Sequence, residues 1–459
     1  MESDILISEI KKVSNIGSEL KEKFGLDYNP FPKSGIAYIG ESEEITSQLP
    51  PAYKKTAHEI VSYMQDALEK AADKKTPDYL SLIIRGEFGS GKTQTLMYIK
   101  YLFSAIKTDI FNPYVVYIDN PGGTLSELIG AVMSQIGIEN FRRYLWDGFI
   151  KYMSQKETGE DKTRKEILLA EVVKLRGGGY TEDLFSSSGI SVEDALHFNW
   201  DSTEISYKYF LEKLLTGTKS AQQKVVNQKL KSYLVKCFMD EFKTASVAEY
   251  FYEVVTDSLS VSQAWDHMVT GDVKNVSKRE FYILHAIVQI AKEYLGATDF
   301  IILVDEFEEL ASGRVSDKDL DNYLRNLRSL IDNEKNWCSV FAMNSIALTK
   351  IEKLVPPLAD RIGDRIIDLT PYDLEASKVV IGNYLSLARI EDFDKDKLYP
   401  FSEDAIKAIL NTRDTTLQGS PRFIMKCCFR LLQSAAKELK SGDVIDEKFV
   451  KLIIGDQLN

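Results

Sequence analysis

The sequence predicts an α/β fold in which a mainly parallel sheet is covered by helices on both faces. Five short apolar runs indicate buried strands, and they alternate with segments whose apolar residues recur at helical spacing, the order typical of parallel sheets. Residues 138–280 show helical patterns broken by polar and glycine-rich loops, and everything from Tyr372 onward is helical. We therefore expect a large helical insertion within the sheet domain and a separate helical bundle after it.

The expected helices and strands follow one another in a simple order. Residues 1–23 predict a charged amphipathic helix, and residues 53–72 have apolar residues at helical spacing. The predicted strands are 79–84, YVVYID (114–119), 300–304, CSVFAMN (338–344) and RIIDL (365–369). A helix at 92–106 follows the first strand. After the second strand, Thr124 with Glu127 three residues later predicts the start of another helix.

Composition and charge narrow the class of protein. The chain has 459 residues and a net charge of -12, which predicts two or three domains and argues against a protein that coats nucleic acid by bulk charge. The four cysteines and four histidines show no metal-binding spacing, so we do not expect a zinc centre. No apolar run approaches the ~18 residues that span a bilayer, and the charged start MESDILISEIKK is not a secretion signal. We therefore expect a cytoplasmic protein with no membrane partner.

A phosphate-binding loop follows the first predicted strand. The segment GEFGSGKT, residues 86–93, matches G-x-x-x-x-G-K-S/T at every fixed position. Glycines let successive backbone N–H groups curl around a polyphosphate. Lys92 would reach the β- and γ-phosphates, and the Thr93 hydroxyl would ligate Mg²⁺. The predicted nucleotide-binding residues are Gly86, Glu87, Phe88, Gly89, Ser90, Gly91, Lys92, Thr93 and Gln94.

The third predicted strand ends in acidic residues, in the segment FIILVDEFEEL. Asp305 would hold Mg²⁺ through water opposite Thr93, and Glu306 would orient and deprotonate the attacking water. Glu308 and Glu309 are expected to belong to the solvated start of a helix. No N-K-x-D segment for guanine and no L-S-G-G-Q-like segment occurs, which argues against a GTPase and against a transporter-type ATPase.

The order of features after this strand resembles that of AAA+ ATPases, specifically their initiator-type (origin-recognition-like) clade. Asn344 ends the fourth strand, at the place of the family's sensor-1 residue. The segment LADRIGDRIIDLTPY resembles the box that supplies an arginine finger, which implies Arg361, with Arg365 as its rival. The segment GSPRFIMKCCFRLL resembles the start of the sensor-2 helix, which implies Arg422 over the γ-phosphate. NPFP resembles the segment that leads into the adenine pocket. The resemblance covers residues 24–137 and 281–459.

This resemblance implies a division of the chain into five segments. They are an N-terminal helix with an adenine-side segment (1–50), two parts of the P-loop core (51–137 and 281–370), the helical insertion (138–280) and a helical lid (371–459). Two departures from the initiator pattern are expected: an insertion far larger than usual, and no winged-helix DNA-binding domain after the lid. In both features the chain resembles ATPases of mobile elements or of phage-defence (antiviral) systems. This resemblance is an analogy between folds.

The implied function is that of an AAA+ ATPase that binds ATP and Mg²⁺, hydrolyses ATP and assembles with copies of itself as a ring or filament. Turnover would remodel or recruit DNA or a DNA-acting partner protein through the insertion. Two alternatives stay open. One is a signal-transducing NTPase switch with slow hydrolysis, which senses a ligand through its helical insertion. The other is a DNA-binding loader for a helicase or a transposase.

Overall fold

The structure, a computed structural model, describes the sheet and the helices around it. The described residues are 16–35, 46–47, 49–72, 78–137, 151–164, 276–391, 393, 395–411 and 418–458, with single residues and short runs between 140 and 239. Most of the predicted insertion, and residues 1–15 of the predicted N-terminal helix, lie outside this part. The chain divides into two compact units, one of residues 1–121, 301–321 and 337–459, the other of residues 122–300 and 322–336.

Within the described residues, five strands form one sheet. They are β1 (Leu80–Arg85), β2 (Pro113–Ile118), β3 (Asp299–Val304), β4 (Trp337–Met343) and β5 (Ile366–Asp368), in the order β2-β3-β4-β1-β5. β1 runs parallel to both of its neighbours, with Leu80 opposite Cys338 in β4 and Ile83 opposite Ile366 in β5. β3 and β4 are buried along their whole length, as expected for strands covered on both faces.

Helices precede, separate and follow these strands along the chain. They are α1 (Ile16–Phe24), α2 (Lys54–Ala72), α3 (Lys92–Ala105), α4 (Leu125–Ile136), α5 (Val276–Tyr294), α6 (Asp317–Asn333), α7 (Ser345–Leu354), α8 (Pro356–Ile362), α9 (Leu374–Ala388), α10 (Glu403–Leu410), α11 (Pro421–Glu438) and α12 (Glu447–Leu458). A short 3-10 helix, Phe307–Ala311, follows β3. α9 and α10 begin where Asp373 and Ser402 accept a hydrogen bond from the N–H three residues on, which satisfies a donor that the helix leaves open.

A core of apolar side chains fixes α3 against the sheet. α2 contributes Ile60 and Tyr63, and α3 contributes Leu96 and Phe103, to a buried cluster with side chains of β1, β3 and β4. The Tyr63 hydroxyl donates to the carbonyl oxygen of Ser339 at 3.2 Å. Each such large side chain stabilises the fold by about 1.5–3 kcal/mol when it is fully buried. The loop between β1 and α3 is therefore held at both ends by well-packed elements.

The C-terminal helices share a second core, and the N-terminal segment belongs to it. Phe24 of α1 is buried among side chains of α9, α10, α11 and α12. The Asn29 amide donates to the carbonyl oxygen of Phe429 at 3.0 Å, and Phe31 stacks on Tyr384 with ring centroids 5.7 Å apart. The predicted adenine-side segment is therefore built into the helical bundle.

The second unit contains α4, α5 and most of α6. Thr124 Oγ1 accepts from the N–H of Glu127 at 3.2 Å, and the Glu127 carboxylate accepts from the N–H of Gly123 at 2.7 Å. The first contact satisfies a helix-end donor, as at the helix start that the sequence predicts here, and the second holds the residue before the cap. His285 on α5 and Glu334 after α6 pair at 2.9 Å within this unit.

The predicted fold class is confirmed. The chain folds as a P-loop NTPase: a parallel α/β sheet with flanking helices, followed by a helical bundle. The five predicted strands lie within a residue or two of their observed bounds, as for 79–84 against Leu80–Arg85. The predicted domain boundaries at 50, 137, 280 and 370 stay predictions. In the described ranges, no helix is long and apolar enough to cross a membrane.

Candidate functional site

The loop that joins β1 to α3 is shaped by its glycines. Gly89 and Gly91 have φ angles of 79° and 95°, a left-handed conformation that favours glycine. A Cβ on Gly89 would lie 3.0 Å from the Cβ of Arg422, and a Cβ on Gly86 would lie 2.3 Å from the Oγ of Ser90. The loop therefore needs glycine both to turn and to let neighbouring groups approach.

Lys92 begins α3, and its amine turns back to the loop. Nζ donates to the carbonyl oxygens of Gly86 at 2.9 Å and Glu87 at 3.4 Å, and it pairs with the Glu308 carboxylate at 2.9 Å. Only 9% of the Lys92 side chain is exposed. A fixed ammonium group beside the N-terminus of a helix is a favourable place for a phosphate.

Glu308 lies at the start of a helix, as the sequence predicts, but most of its side chain is buried. We expected Glu308 and Glu309 at the solvated start of a helix, but the Glu308 side chain is 20% exposed and contacts Lys92. It lies on the 3-10 helix, which Phe307 anchors: the Phe307 ring is fully buried, with its centroid 4.8 Å from that of Phe341. The expected solvation of Glu308 was wrong because its partner, Lys92, comes from a distant part of the chain.

Asp305 follows β3 and is almost fully buried, with 3% of its surface exposed. Its Oδ2 accepts hydrogen bonds from the hydroxyls of Thr93 at 2.6 Å and Tyr117 at 3.0 Å, and its Oδ1 accepts from the N–H of Glu306 at 2.9 Å. The two residues predicted as Mg²⁺ ligands, Thr93 and Asp305, are therefore in direct contact. Their oxygens are of the kind that Mg²⁺ prefers.

Tyr117 is a residue of this site that sequence reasoning missed. It lies near the end of β2, and burial, together with the charge of Asp305, raises the pKa of its phenol well above the ordinary value. The phenol therefore stays protonated and remains a hydrogen-bond donor to Asp305. A signal was present in the run YVVYID, where a polar hydroxyl interrupts an otherwise aliphatic end of a buried strand.

Glu306 is exposed and lines the same cavity as Asp305. Its φ angle is 48°, a conformation that costs a non-glycine residue about 1–3 kcal/mol and is found mainly at functional sites. Partial burial raises the pKa of Glu306, and the neighbouring carboxylates of Asp305, Glu309, Glu308 and Asp119 raise it further. A carboxylate with a raised pKa is a stronger base, which suits the predicted role of Glu306.

Arg422 joins the helical bundle to the phosphate loop. It lies in the first turn of α11, and its backbone N–H donates to the carbonyl oxygen of Gly89 at 3.2 Å. Its guanidinium carbon lies 4.6 Å from the ring centroid of Phe88, a cation–π contact. Phe88 itself is 80% exposed. The predicted sensor-2 arginine therefore lies beside the phosphate loop.

These groups line a cavity of about 200 Å³. The lining includes Phe88, Gly89, Gly91, Lys92, Thr93, Gln94, Asp305, Glu306, Glu308 and Arg422. Several buried polar atoms here have no hydrogen-bond partner among the described residues: Ser90 Oγ, both amide atoms of Gln94, Arg422 Nε and Glu308 Oε2. An unpaired buried polar atom costs about 1–3 kcal/mol. A polyphosphate would supply acceptors for the donors among them, so the residues present fit a nucleotide.

The cavity lining also contains apolar and aromatic side chains. They include Pro32, Leu49, Tyr372, Tyr384 and Met425. Pro32 belongs to the NPFP segment, which the family resemblance assigns to the adenine pocket, and it lines this cavity. Apolar and aromatic walls suit a flat heterocycle such as a nucleobase.

Mg²⁺ would need more than protein ligands at this place. Within the described part of the chain, no group of three or more His, Cys, Asp or Glu side chains could hold a metal ion. Mg²⁺ in nucleotide sites usually takes one or two protein oxygens, with the remaining ligands from phosphates and water. The contacting pair Thr93 and Asp305 fits that pattern.

Three other predicted residues lie outside this cavity lining. Asn344 Oδ1 accepts from the N–H of Ala347 at 2.8 Å and caps α7. Arg361 is exposed on α8. Arg365 pairs with Asp66 and donates to the Ser62 hydroxyl at 3.2 Å. The alternative candidate for the arginine finger is therefore held within its own subunit. The sensor-1 and finger roles stay predictions.

Among known proteins, only solved structures show a similarity to this chain. No protein-family model matches the chain, and no curated protein matches it either. Among solved structures, it is similar to the crystal structure of Cdc6p from Pyrobaculum aerophilum, with 12% sequence identity and a TM-score of 0.41 over 91% of this chain and 71% of that one. The chemistry of the site therefore follows from its own residues.

Proposed function

We propose that this chain is an AAA+ ATPase that binds ATP with Mg²⁺, hydrolyses ATP and assembles with copies of itself. One observation carries the proposal. Lys92, the contacting pair Thr93 and Asp305, and Arg422 come from three distant parts of the chain and meet at one cavity. Phosphate-loop ATPases need these groups together: an ammonium on the phosphates, a hydroxyl and a carboxylate for Mg²⁺, and a cation for the developing charge.

Each residue has a distinct part in the proposed reaction. Lys92 and the N-terminus of α3 bind the β- and γ-phosphates. Thr93 and Asp305 would hold Mg²⁺, which when bound offsets charge on the phosphate oxygens. Glu306 orients the attacking water and accepts its proton. Arg422 offers its unpaired Nε to the phosphoryl group.

The order of elements supports assignment to the AAA+ family. The phosphate loop follows β1, the acidic residues follow β3, Asn344 directly follows β4, and Arg361 comes just before β5. The helical bundle then supplies Arg422 to the loop. This is the order of features on which the family resemblance rests.

The proposal includes self-assembly and a macromolecular target. Arg361 is exposed and does not line the cavity of its own subunit, so a finger at this position would have to meet the nucleotide of a neighbouring copy. The target would be DNA or a DNA-acting protein, engaged through residues 138–280. A segment of that length is not needed to bind nucleotide, and inserted segments commonly carry function.

A binding and turnover assay tests the proposed function. Wild-type protein should bind ATP in the presence of Mg²⁺ and release phosphate, and Lys92→Ala should lose tight ATP binding because the phosphate charge is left without its main cation. Lys100→Ala, a change of the same kind near the other end of α3, is the control and should bind normally. ATP binding by Lys92→Ala within a few-fold of wild type would refute the phosphate-loop assignment.

Two further readouts separate this function from its alternatives. A signal-transducing switch should bind ATP but show negligible steady-state turnover, with a rate per subunit that does not depend on protein concentration. A loader for a helicase or transposase should bind duplex DNA at near-physiological salt, where purely electrostatic binding weakens. An assembling ATPase should instead turn over faster per subunit as the protein concentration rises.

A further inference from the structure

The ion pair between Lys92 and Glu308 lies inside the proposed nucleotide cavity. Lys92 Nζ is 2.9 Å from Glu308 Oε1, and both side chains line the cavity. A lysine ammonium has three N–H donors. Here two contact the carbonyl oxygens of Gly86 and Glu87, and the third meets Glu308. A phosphate oxygen can therefore reach this amine only by displacing one of those partners.

Glu308 is held in this position by its own short helix. Phe307 and Leu310, on the same 3-10 helix, are both buried, so the backbone that carries Glu308 is fixed to the core. The Glu308 Oε2 atom is buried and has no hydrogen-bond partner in the described part of the chain. The carboxylate would thus be left without its cation when a phosphate takes Lys92, and it would lie close to a second anion.

We propose that Glu308 is a specificity-determining residue, which competes with the γ-phosphate for Lys92 and so weakens binding of a nucleoside triphosphate more than binding of a diphosphate. This deepens the proposed function and rests on it. A triphosphate brings its γ-phosphate to the amine that Glu308 holds. A diphosphate brings only its β-phosphate to the amine, which can displace the longer 3.4 Å contact with Glu87 while the Glu308 carboxylate stays in place.

This competition makes Lys92 the point at which the two nucleotide states differ. With a triphosphate, the amine leaves Glu308 for phosphate, and the repulsion between carboxylate and phosphate is unfavourable in a partly buried site. With a diphosphate, the ion pair is kept and supports retention of the product. A neutral side chain of the same shape at 308 removes both effects at once.

Equilibrium titrations of the full chain test the proposal. Dissociation constants for a β,γ-imido ATP analogue and for ADP, both with Mg²⁺, are measured on wild type, Glu308→Gln and Glu309→Gln. We expect Glu308→Gln to bind the triphosphate analogue about tenfold more tightly and ADP no more tightly, because only the triphosphate has to displace the carboxylate. Glu309 is on the same short helix but pairs with Arg314 and does not line the cavity, so Glu309→Gln should keep the wild-type ratio of the two constants.

The outcomes separate this inference from the proposed function. If wild type binds both nucleotides and Glu308→Gln leaves the ratio of the two constants unchanged, the inference is overturned while the ATPase assignment stands. If wild type binds neither nucleotide, the proposed function itself fails. Glu308→Asp, which keeps the charge but shortens the side chain by one methylene, should give an intermediate ratio.

Discussion

The hydroxyl of Thr93 donates a 2.6 Å hydrogen bond to the carboxylate of Asp305, although 212 residues separate them in the chain. The sheet explains the contact. Thr93 follows β1 through the phosphate loop, Asp305 follows β3, and β4 lies between these two strands. The ends of parallel strands meet at one edge of a sheet, where ligands of α/β proteins usually bind. The order of the strands therefore brings the two proposed Mg²⁺ ligands into contact.

Tyr117→Phe should weaken Mg²⁺ binding. The phenol donates to the same Asp305 oxygen that Thr93 contacts, and its loss removes one of the hydrogen bonds that orient the carboxylate. Removing a hydrogen-bond partner of a metal ligand typically lowers metal affinity by about 10–100-fold. The measurement is the Mg²⁺ concentration that gives half-maximal ATP turnover, which should rise by about tenfold or more.

Tyr63→Phe is the matched control for this prediction. Its hydroxyl is also buried and also makes one hydrogen bond, to the carbonyl oxygen of Ser339, but Tyr63 does not line the cavity. Both variants should lose about 1 kcal/mol of unfolding free energy, and only Tyr117→Phe should change the Mg²⁺ requirement. Equal Mg²⁺ curves for both variants would mean that Tyr117 is structural.

The sequence predicted the parts of this site that depend on local pattern. The phosphate loop has a fixed spacing, and β1 and β3 are mainly apolar runs that end at Arg85 and just before Asp305. Such features are set by residues close together in the chain, so the motif and the buried strands could be placed before the structure was known.

The remaining features depend on contacts between distant segments. The pairing of Glu308 with Lys92 and the hydrogen bond from Tyr117 to Asp305 need the folded sheet. The placement of Phe31 against Tyr384 likewise joins residues from opposite ends of the chain. Neither spacing nor hydropathy records which of several nearby carboxylates will meet a given lysine, and the prediction for Glu308 failed for that reason.

Glu306→Gln should keep ATP binding and stop hydrolysis. The amide preserves the shape of the side chain but cannot accept the proton of the attacking water, and a general base typically contributes about 10²–10⁴-fold to rate. Binding of ATP should stay within a few-fold of wild type while phosphate release falls by at least about 10². Asp119→Asn, a nearby carboxylate that does not line the cavity, should keep most of the activity.

Unchanged turnover in Glu306→Gln would mean that another carboxylate acts as the general base. Glu308 is then the first candidate, because it also lines the cavity. In that case Glu308→Gln would abolish phosphate release rather than only change the ratio of nucleotide affinities, so the two roles can be distinguished in one set of variants.

Arg422→Ala should slow the chemical step more than it weakens nucleotide binding. The guanidinium has a buried Nε without a partner among the described residues and lies against Phe88 beside the phosphate loop. Removing one preorganised donor from a developing charge typically costs about 10²–10³-fold in kcat. Single-turnover phosphate release measures the step. Arg430→Ala, an exposed position on the same helix, should react at the wild-type rate, and an equal loss in both variants would point to damage to α11 itself.

Arg361→Ala should bind ATP normally and hydrolyse it poorly. Arg361 is exposed on α8, away from the cavity of its own subunit, so its loss leaves the binding groups intact. If it reaches the nucleotide of a neighbouring copy, hydrolysis should fall by about 10³-fold or more, as in other arginine-finger systems. Arg365→Ala is the comparison, because Arg365 is held by Asp66 and Ser62 and should affect stability more than turnover.

Mixing two inactive variants tests whether Arg361 acts between subunits. An Arg361→Ala subunit keeps an intact phosphate loop, and a Lys92→Ala subunit keeps an intact finger, so an interface between them can combine both groups. Adding Lys92→Ala protein to Arg361→Ala protein should therefore restore part of the turnover, up to the share of such mixed interfaces. If Arg365→Ala is inactive while Arg361→Ala is not, the finger is Arg365. If neither change matters and turnover per subunit is independent of concentration, each chain works alone, and the switch function replaces the assembling ATPase.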